Sequence, residues 1–333
     1  MFLLNNKFDH MDGFLFIDKE KGDTSFDVIR ALKPKIREAF PNLGKKYKIG
    51  HCGTLDPIAT GLMIVALGEA TKFLEFLIGA DKVYRAECEF GAVSDTYDGD
   101  GKIEKTSNSR SNSRSGSEVK LIKLSEIKKI VKKKFVGEIE QMPPKYSAKK
   151  VGGKRACDLM REGKEFELKA KKVSVYDFVF ISFEWPRMQF ELSCSSGTYV
   201  RSLVHDLGQE LLCGAYMTAL RRTEIGFLDG GKSKGFSVDD ALKVDDVEVA
   251  GSLSLPATVH SIEEVFEKFP SIELGASDYN RLKSGGFVLN VLNTKSVQGS
   301  CLLAKYRGKV VGVLERIHNG KFVKFRKTVK ILS

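Results

Sequence analysis

The stretch Gly50-His51-Cys52-Gly53-Thr54-Leu55-Asp56-Pro57-Ile58-Ala59-Thr60-Gly61 runs without a break into Leu62-Met63-Ile64-Val65-Ala66-Leu67. A polar loop that feeds an apolar run of strand length predicts a loop anchored on a buried strand. Its three glycines open backbone conformations closed to other residues, while Pro57 fixes its own φ and biases Asp56 away from the helical region. A rigid scaffold therefore holds one acid beside one histidine, His51. Asp56 is either a catalytic acid or a turn residue that caps its neighbours, and spacing alone does not choose.

The remaining chain supplies alternating elements around this loop. After a tail over residues 1–12, Gly13 to Asp18 reads as a strand, followed by a helix capped by Thr24 or Ser25 with Phe26, Ile29 and Leu32 on one face. Pro34 to Lys48 connects to the acid loop, and Glu69 to Ile78 predicts a short helix. Val83 to Phe90 alternates, placing Tyr84, Ala86, Cys88 and Phe90 on the apolar side. Gly91 to Gly101 is a turn carrying Asp98; it lacks the twelfth-position glutamate of an EF-hand calcium loop. Residues 106–117 are Ser/Asn/Arg low complexity, an insertion expected to be disordered. From Ser125, helical spacing of Ile127, Ile130, Val131 and Phe135 leaves Lys128, Lys129, Lys132 and Lys133 outward.

Strands around Val173–Phe183 and Met188–Cys194 lead to a helix starting near Thr198. Its inward residues are Val200, Leu203, Val204, Leu207 and Leu211, with Tyr199 and Arg201 in the first turn. Gly230 to Gly235 marks the end of a main domain over 13–235. An acidic connector, 236–275, contains the capping box Ser261-x-x-Glu264 with Ile262, Val265, Phe266 and Phe269 inward. Apolar runs at Cys301–Tyr306, Val310–Leu314 and Phe322–Val329 predict a small β domain over 276–333.

No apolar run approaches the ~18 residues of a membrane span, and Phe2-Leu3-Leu4 is too short for a secretory segment, so a cytoplasmic protein is expected. The six cysteines form no C-x-x-C pair and the five histidines show no ligand spacing, so neither a metal nor disulfides are implied. The net charge of +11 is unevenly placed: +12 over residues 101–172, −7 over 236–275 and +10 over 276–333. Two separate basic blocks favour a polyanionic partner, since Lys/Arg surfaces gain affinity by releasing counterions from phosphates. Lys19, Lys128, Lys132, Lys149 and Lys154 are the candidate phosphate contacts.

The acid loop, followed by Gly68-Glu69-Ala70-Thr71-Lys72, resembles the TruB family of tRNA pseudouridine synthases. The resemblance extends over roughly Gly13 to Gly226. It takes in Gly-x-Leu-x-x-Asp-Lys-x-x-Gly-x-Thr-Ser, with Glu20 where proline is usual, and the Asp98 turn, with Ser94 replacing a threonine. It continues through Gln141-Met142-Pro143-Pro144-Lys145-Tyr146-Ser147-Ala148, then Gly197-Thr198-Tyr199-Val200-Arg201-Ser202-Leu203 and the string Ala219 to Gly226. Cys157 stands where the family usually has an aromatic.

The resemblance implies an α+β pseudouridine synthase fold, a mixed, mainly antiparallel sheet flanked by helices, with a small PUA-like RNA-binding domain at the C-terminal end. It implies conversion of uridine 55 in the tRNA T-loop to pseudouridine by a monomer that needs no cofactor and no guide RNA, the arm after Gln141 gripping the RNA stem-loop. Alternatives are a dyskerin-like subunit that depends on guide RNA and a non-catalytic tRNA-folding chaperone. Asp56 is the implied catalytic acid, attacking C1′, attacking C6 or taking a proton along a glycal route. Arg201 is its implied cation with Asp98 behind it, Tyr84 stacks on the base, Tyr199 and Leu220 line the pocket, and His51 fills the space left by an extruded base.

Overall fold

The computed structural model describes residues 11–44, 46–106, 122–229, 232–249, 255–267, 269, 271–289, 302–317 and 322–328. The apolar run after the acid loop lies in the middle of the fold because each of its residues has a buried environment. Strand β1 (Gly13–Lys19) pairs antiparallel along its whole length with the strand that follows the loop. Between them come helix α1 (Ser25–Ala39) and strand β2 (Ile49–Cys52), and then β3 (Ala59–Leu67). Thr24 caps α1 through a capping box closed by Asp27.

Three local expectations change here. Pro34 lies inside α1 instead of starting a connector; it is exposed, so the main-chain bond it cannot make faces solvent, while Ile36 and Phe40 continue the buried stripe. Phe26 is also exposed, because the buried face of α1 is set by Ser25, Val28, Ile29, Leu32 and Ile36. The acid loop itself is shorter than its polar composition suggests: Gly50, His51 and Cys52 belong to β2, leaving residues 53–58 as loop.

A 3-10 turn over Gly68–Phe73 and helix α2 (Leu74–Ile78) divide the expected single helix. Strand β4 (Asp81–Phe90) follows, then a hairpin of β5 (Ala92–Ser94) and β6 (Ile103–Lys105) whose turn carries Asp98. Thr106 bonds to the carbonyls of Gly91 and Cys213, and the remainder of the expected insertion, 107–117, lies outside the described residues. Helix α3 (Leu124–Lys134) buries Ile127 and Val131 and leaves its lysines outward. The arm then runs from β7 (Gly137–Gln141) through β8 (Lys150–Val151), β9 (Lys154–Arg155) and α4 (Ala156–Arg161).

Strands β10 (Lys171–Glu184) and β11 (Arg187–Cys194), helix α5 (Val200–Glu210) and strands β12 (Ala215–Asp229) and β13 (Lys232–Ser237) complete a nine-stranded sheet. The strand order is β1-β3-β12-β4-β11-β10-β7, with β2 beside β3 and β13 beside β12. Every pairing is antiparallel except β3 with β12, where Leu220, Arg221 and Arg222 face Ala59, Thr60 and Gly61. Gly61 has φ +104°, and a Cβ there would lie 2.2 Å from the Arg222 carbonyl oxygen, so glycine is what lets the two backbones meet.

The β1/β3 half of the sheet is covered on both faces: Leu15, Ile17, Met63 and Val65 meet α1, and Phe14, Phe16, Leu62 and Ile64 meet Phe73 and Phe266. The β4/β11 half is covered on one face, where α3 and α5 pack on Tyr84, Ala86, Cys88, Phe190 and Leu192. The acidic segment returns along β1, with Leu242 and His260 bonded to the main chain of Phe16 and Phe14. Helices α6 (Leu255–Thr258) and α7 (Ile262–Val265) follow, the latter with the expected Ser261/Glu264 capping box.

The last part is a five-stranded sheet of order β14-β16-β17-β18-β15. It is built from β14 (Ser271–Glu273), helix α8 (Ala276–Lys283), β15 (Val288–Leu289), β16 (Leu302–Tyr306), β17 (Lys309–Ile317) and β18 (Phe322–Thr328). It encloses its own core of Leu274, Leu282, Val288, Val311 and Leu314. The three sequence-read runs are β16, β17 and β18, and the curled sheet agrees with a PUA-like domain. Among the described residues no helix is long and apolar enough to cross a membrane.

Candidate active site

The 53–58 loop is fixed from several sides before its acid is considered. Leu55 and Ile58 are buried and anchor it by their side chains. Buried Ser25, at the start of α1, accepts from Leu55 N (2.9 Å) and donates to Leu55 O (3.3 Å). Gly22 N donates to Pro57 O at 2.8 Å, and Ala59 N closes the loop on Asp56 O at 3.0 Å. From the opposite side, buried Arg222 donates to Gly53 O (3.0 Å) and Leu62 O (2.8 Å), tying the start of the loop to β3.

The Asp56 side chain leaves this frame half-buried, 37% exposed, and its Oδ2 lies 2.8 Å from Nη2 of Arg201. Arg201 itself is buried. Its Nη1 lies 3.1 Å from Asp98 Oδ2 and donates to Thr96 O at 2.9 Å, while Nη2 also donates to Tyr146 O at 3.0 Å. Asp98 is oriented in turn, because its Oδ1 accepts from Thr96 Oγ1 (2.6 Å) and Asp100 N (3.1 Å). The guanidinium is thus directed by fixed acceptors, with one edge presented to the half-buried acid.

Burial pushes the Asp56 carboxyl above the ordinary carboxylate range, and the negative charge of Asp98 adds to this. Arg201 and, more weakly, Lys19 pull it back without cancelling the shift. The ionised form of the acid is thus opposed by burial and by Asp98 and favoured by Arg201, a perturbed carboxyl of the kind found at reaction centres.

Tyr84, on β4, is buried beside Arg222, and burial pushes its phenol up to about 12, so it stays neutral. Leu220 is buried on β12, two residues before Arg222 and on the same face. Tyr199 occupies the N-cap of α5, half-buried, its phenol raised by burial. Its main chain is held by Gln141, which donates to Tyr199 O (3.0 Å) and accepts from Tyr199 N (2.8 Å). His51 is half-buried on β2; burial and the Arg222 charge lower its pKa, leaving a neutral ring whose Nδ1 has no hydrogen-bond partner.

The lysines divide. Lys128 and Lys132 are exposed on α3, Lys154 is exposed and paired with Glu162 at 3.2 Å, and half-buried Lys149 donates to Lys169 O at 3.1 Å. Lys19 is a correction: it is fully buried, its ammonium capped by Glu20 O (2.8 Å) and Asp23 O (2.7 Å), so it cannot meet an RNA phosphate. It braces the turn before α1 and contributes positive charge near Asp56.

Arg222, Gln141 and Ser25 were not read from the sequence as parts of this site, although Ser25 was a candidate cap of α1 and Gln141 opened the arm motif. A signal existed for the first: in a strand, consecutive Arg221 and Arg222 must point to opposite faces, so one has to be buried. Among the described residues no cluster of His, Cys, Asp and Glu fits a metal ion.

An α+β sheet of this order, with a half-buried acid backed by a buried guanidinium and flanked by buried tyrosine, has the architecture of a pseudouridine synthase. The fold is shared with a Cbf5-Nop10-Gar1 complex (TM-score 0.66, 23% identity, covering 96% of this chain and 84% of that one). It is also shared with an H/ACA RNP bound to a substrate RNA containing 2′-deoxyuridine (TM-score 0.63, 20% identity, 95% and 84% covered).

The chain belongs to the TruB family: residues 41–200 match the N-terminal domain of TruB family pseudouridylate synthase, and 201–266 match the tRNA pseudouridylate synthase B C-terminal domain. It is 39% identical to a tRNA pseudouridine synthase B of Aquifex aeolicus over 84% of this chain and 88% of the relative. It is 32% identical to one of Clostridium tetani over 94% and 99%.

Proposed function

We propose that this chain converts uridine 55 in the T-loop of tRNA to pseudouridine, with Asp56 as the one indispensable acid. The observation that carries the reading is the Asp56–Arg201–Asp98 line, in which a half-buried carboxylate is paired with a buried guanidinium that favours its ionised form. The names of relatives that align over nearly their full length support tRNA as the substrate.

The reaction breaks N1–C1′ of a uridine, turns the base, joins C5 to C1′ and releases the C5 proton, with no net redox change. Whether Asp56 attacks C1′, attacks C6 or takes a proton along a glycal route, each path needs an ionised carboxylate at the sugar and base. Arg201 lowers the cost of that charge. The target base, extruded from its loop, stacks on Tyr84, with Leu220 and Tyr199 as walls and the neutral His51 ring in the vacated space. One of the two tyrosines guides the C5 proton. Lys128, Lys132, Lys149 and Lys154 face the RNA backbone.

Residues 13–235 form the catalytic part, 236–275 an acidic strap whose last strand, β14, joins the C-terminal sheet, and 276–333 a PUA-like RNA-binding domain. The protein works as a monomer, in the cytoplasm, without guide RNA.

The test is tritium release from a tRNA transcript labelled at uridine C5, compared between wild type and Asp56→Asn. Wild type should release tritium from one T-loop position, and Asp56→Asn should be slower by at least about a thousandfold while still binding tRNA. Tight, salt-dependent binding with no release from either protein would favour the guide-dependent or chaperone reading.

A further inference from the structure

One residue of the Asp98 turn has a conformation that its side chain disfavours. Tyr97 has φ +66°, in the left-handed region that L side chains rarely adopt. Its ring lies flat on the imidazole of His205, the centroids 3.8 Å apart and the planes 12° from parallel. His205 Nδ1 has no hydrogen-bond partner, and burial lowers the pKa of the ring. The histidine therefore meets Tyr97 as a neutral, flat apolar surface and not as a proton donor or a cation.

The two partners hold opposite ends of the same feature. His205 stands on α5 one helical turn beyond Arg201. Tyr97 is flanked by Thr96, whose carbonyl accepts from Arg201 Nη1 (2.9 Å), and by Asp98, whose carboxylate lies 3.1 Å from the same nitrogen. The Tyr97 carbonyl accepts from Met217 N at 3.0 Å, tying the turn to β12.

We infer that the Tyr97–His205 stack is a positioning device for the reaction centre. It holds the 96–98 turn in its left-handed shape against the helix that carries Arg201, and so fixes the direction in which the guanidinium faces Asp56. Relaxation of Tyr97 to a right-handed backbone would swing the Thr96 carbonyl and the Asp98 carboxylate away from Arg201 together. Arg201 would remain buried and charged but would no longer be aimed. The inference rests on the assignment of Asp56 and Arg201 to pseudouridine formation.

Its test exploits the backbone. Tyr97→Ala deletes the stack but keeps a Cβ at the positive φ, so the turn is driven to relax, whereas Tyr97→Gly deletes the stack and accepts the positive φ freely. A merely structural tyrosine predicts a lower Tm in both variants with kcat unchanged. Tyr97→Phe keeps the flat face and removes only the hydroxyl. In steady-state tritium release from C5-labelled tRNA, Tyr97→Ala should lower kcat about 10- to 100-fold with KM changed by less than about twofold, as expected when alignment is lost but RNA binding is not, and Tyr97→Gly should lose less. Tyr97→Phe should restore kcat.

A wild-type kcat in Tyr97→Ala, a loss confined to KM, or a Tyr97→Phe enzyme as slow as the alanine variant would each overturn the inference. If Tyr97→Ala melts early, His205→Ala takes its place, since it deletes the same stack from the helix side and leaves Tyr97 at its positive φ. A wild-type protein that releases no tritium would overturn the underlying assignment, and this inference with it.

Discussion

Asp56 carries opposing demands in one side chain. Its pKa lies above the ordinary carboxylate range because burial and Asp98 outweigh the attraction of Arg201. A reaction that needs the ionised form must therefore lose kcat/KM as pH falls through this raised pKa, so the acid limb of the pH profile should lie above the ordinary aspartate range. Asp98→Asn removes the neighbouring negative charge and should move that limb to lower pH while reducing kcat, since Arg201 loses an anchor; a limb that stays fixed would refute the coupling. The sign for stability is opposite. A carboxyl whose folded pKa is raised contributes stability that is present at low pH and lost as pH rises through that pKa. Asp56→Asn should consequently unfold no lower than wild type near neutral pH, and a clear fall in Tm would contradict this. The apolar side of β4 that carries Tyr84 and the start of α5 that carries Arg201 were legible from periodicity, whereas Asp56 and Leu220 stood out only through the motif. Lys19 was misread because charge counting cannot tell an ammonium in water from one capped by main-chain carbonyls.

At the scale of elements, the junction between β3 and β12 is the narrowest joint in the sheet. It is three residues long, parallel, and depends on Gly61. Gly61→Ala combines a disfavoured φ with a Cβ clash against backbone, and should destabilise the fold by on the order of 3 kcal/mol, read as a fall in Tm. On α3, Lys128 and Lys132 are turned away from a buried Ile127/Val131 stripe. Replacing Lys128, Lys129, Lys132 and Lys133 by glutamine should leave the helix intact and weaken RNA binding. The salt dependence should flatten by about one slope unit for each phosphate that is no longer neutralised; an unchanged slope would exclude α3 from the RNA interface. Strand alternation and the α3 and α5 stripes were readable because a single face decides them. Proline in α1 was misread as a boundary, since only the tertiary fold shows that its unmade bond faces water.

At the scale of the whole molecule, the C-terminal sheet does more than append to the rest. Leu303, Val310 and Val313 pack into the same cluster as Phe14, Phe73 and Phe266, under the β1/β3 half of the main sheet. A chain ending after residue 267 should therefore unfold at lower temperature than the full chain; an equal Tm would mean that the catalytic part closes its own core. Composition divided the chain into basic, acidic and basic blocks, yet could not reveal that the acidic block is stitched to β1 by main-chain bonds. The place of β12 also matters for how the protein is made. It lies between β3 and β4 but emerges from the ribosome long after both, once about 230 residues have been synthesised. Until then two central edges remain open and Arg222 is absent from the acid loop, so assembly of the sheet must wait for distant partners, with the slow folding and exposure to aggregation that such pairing brings. A nascent chain arrested before β12 should be a client for chaperones and inert towards RNA uridines, however complete its first two hundred residues.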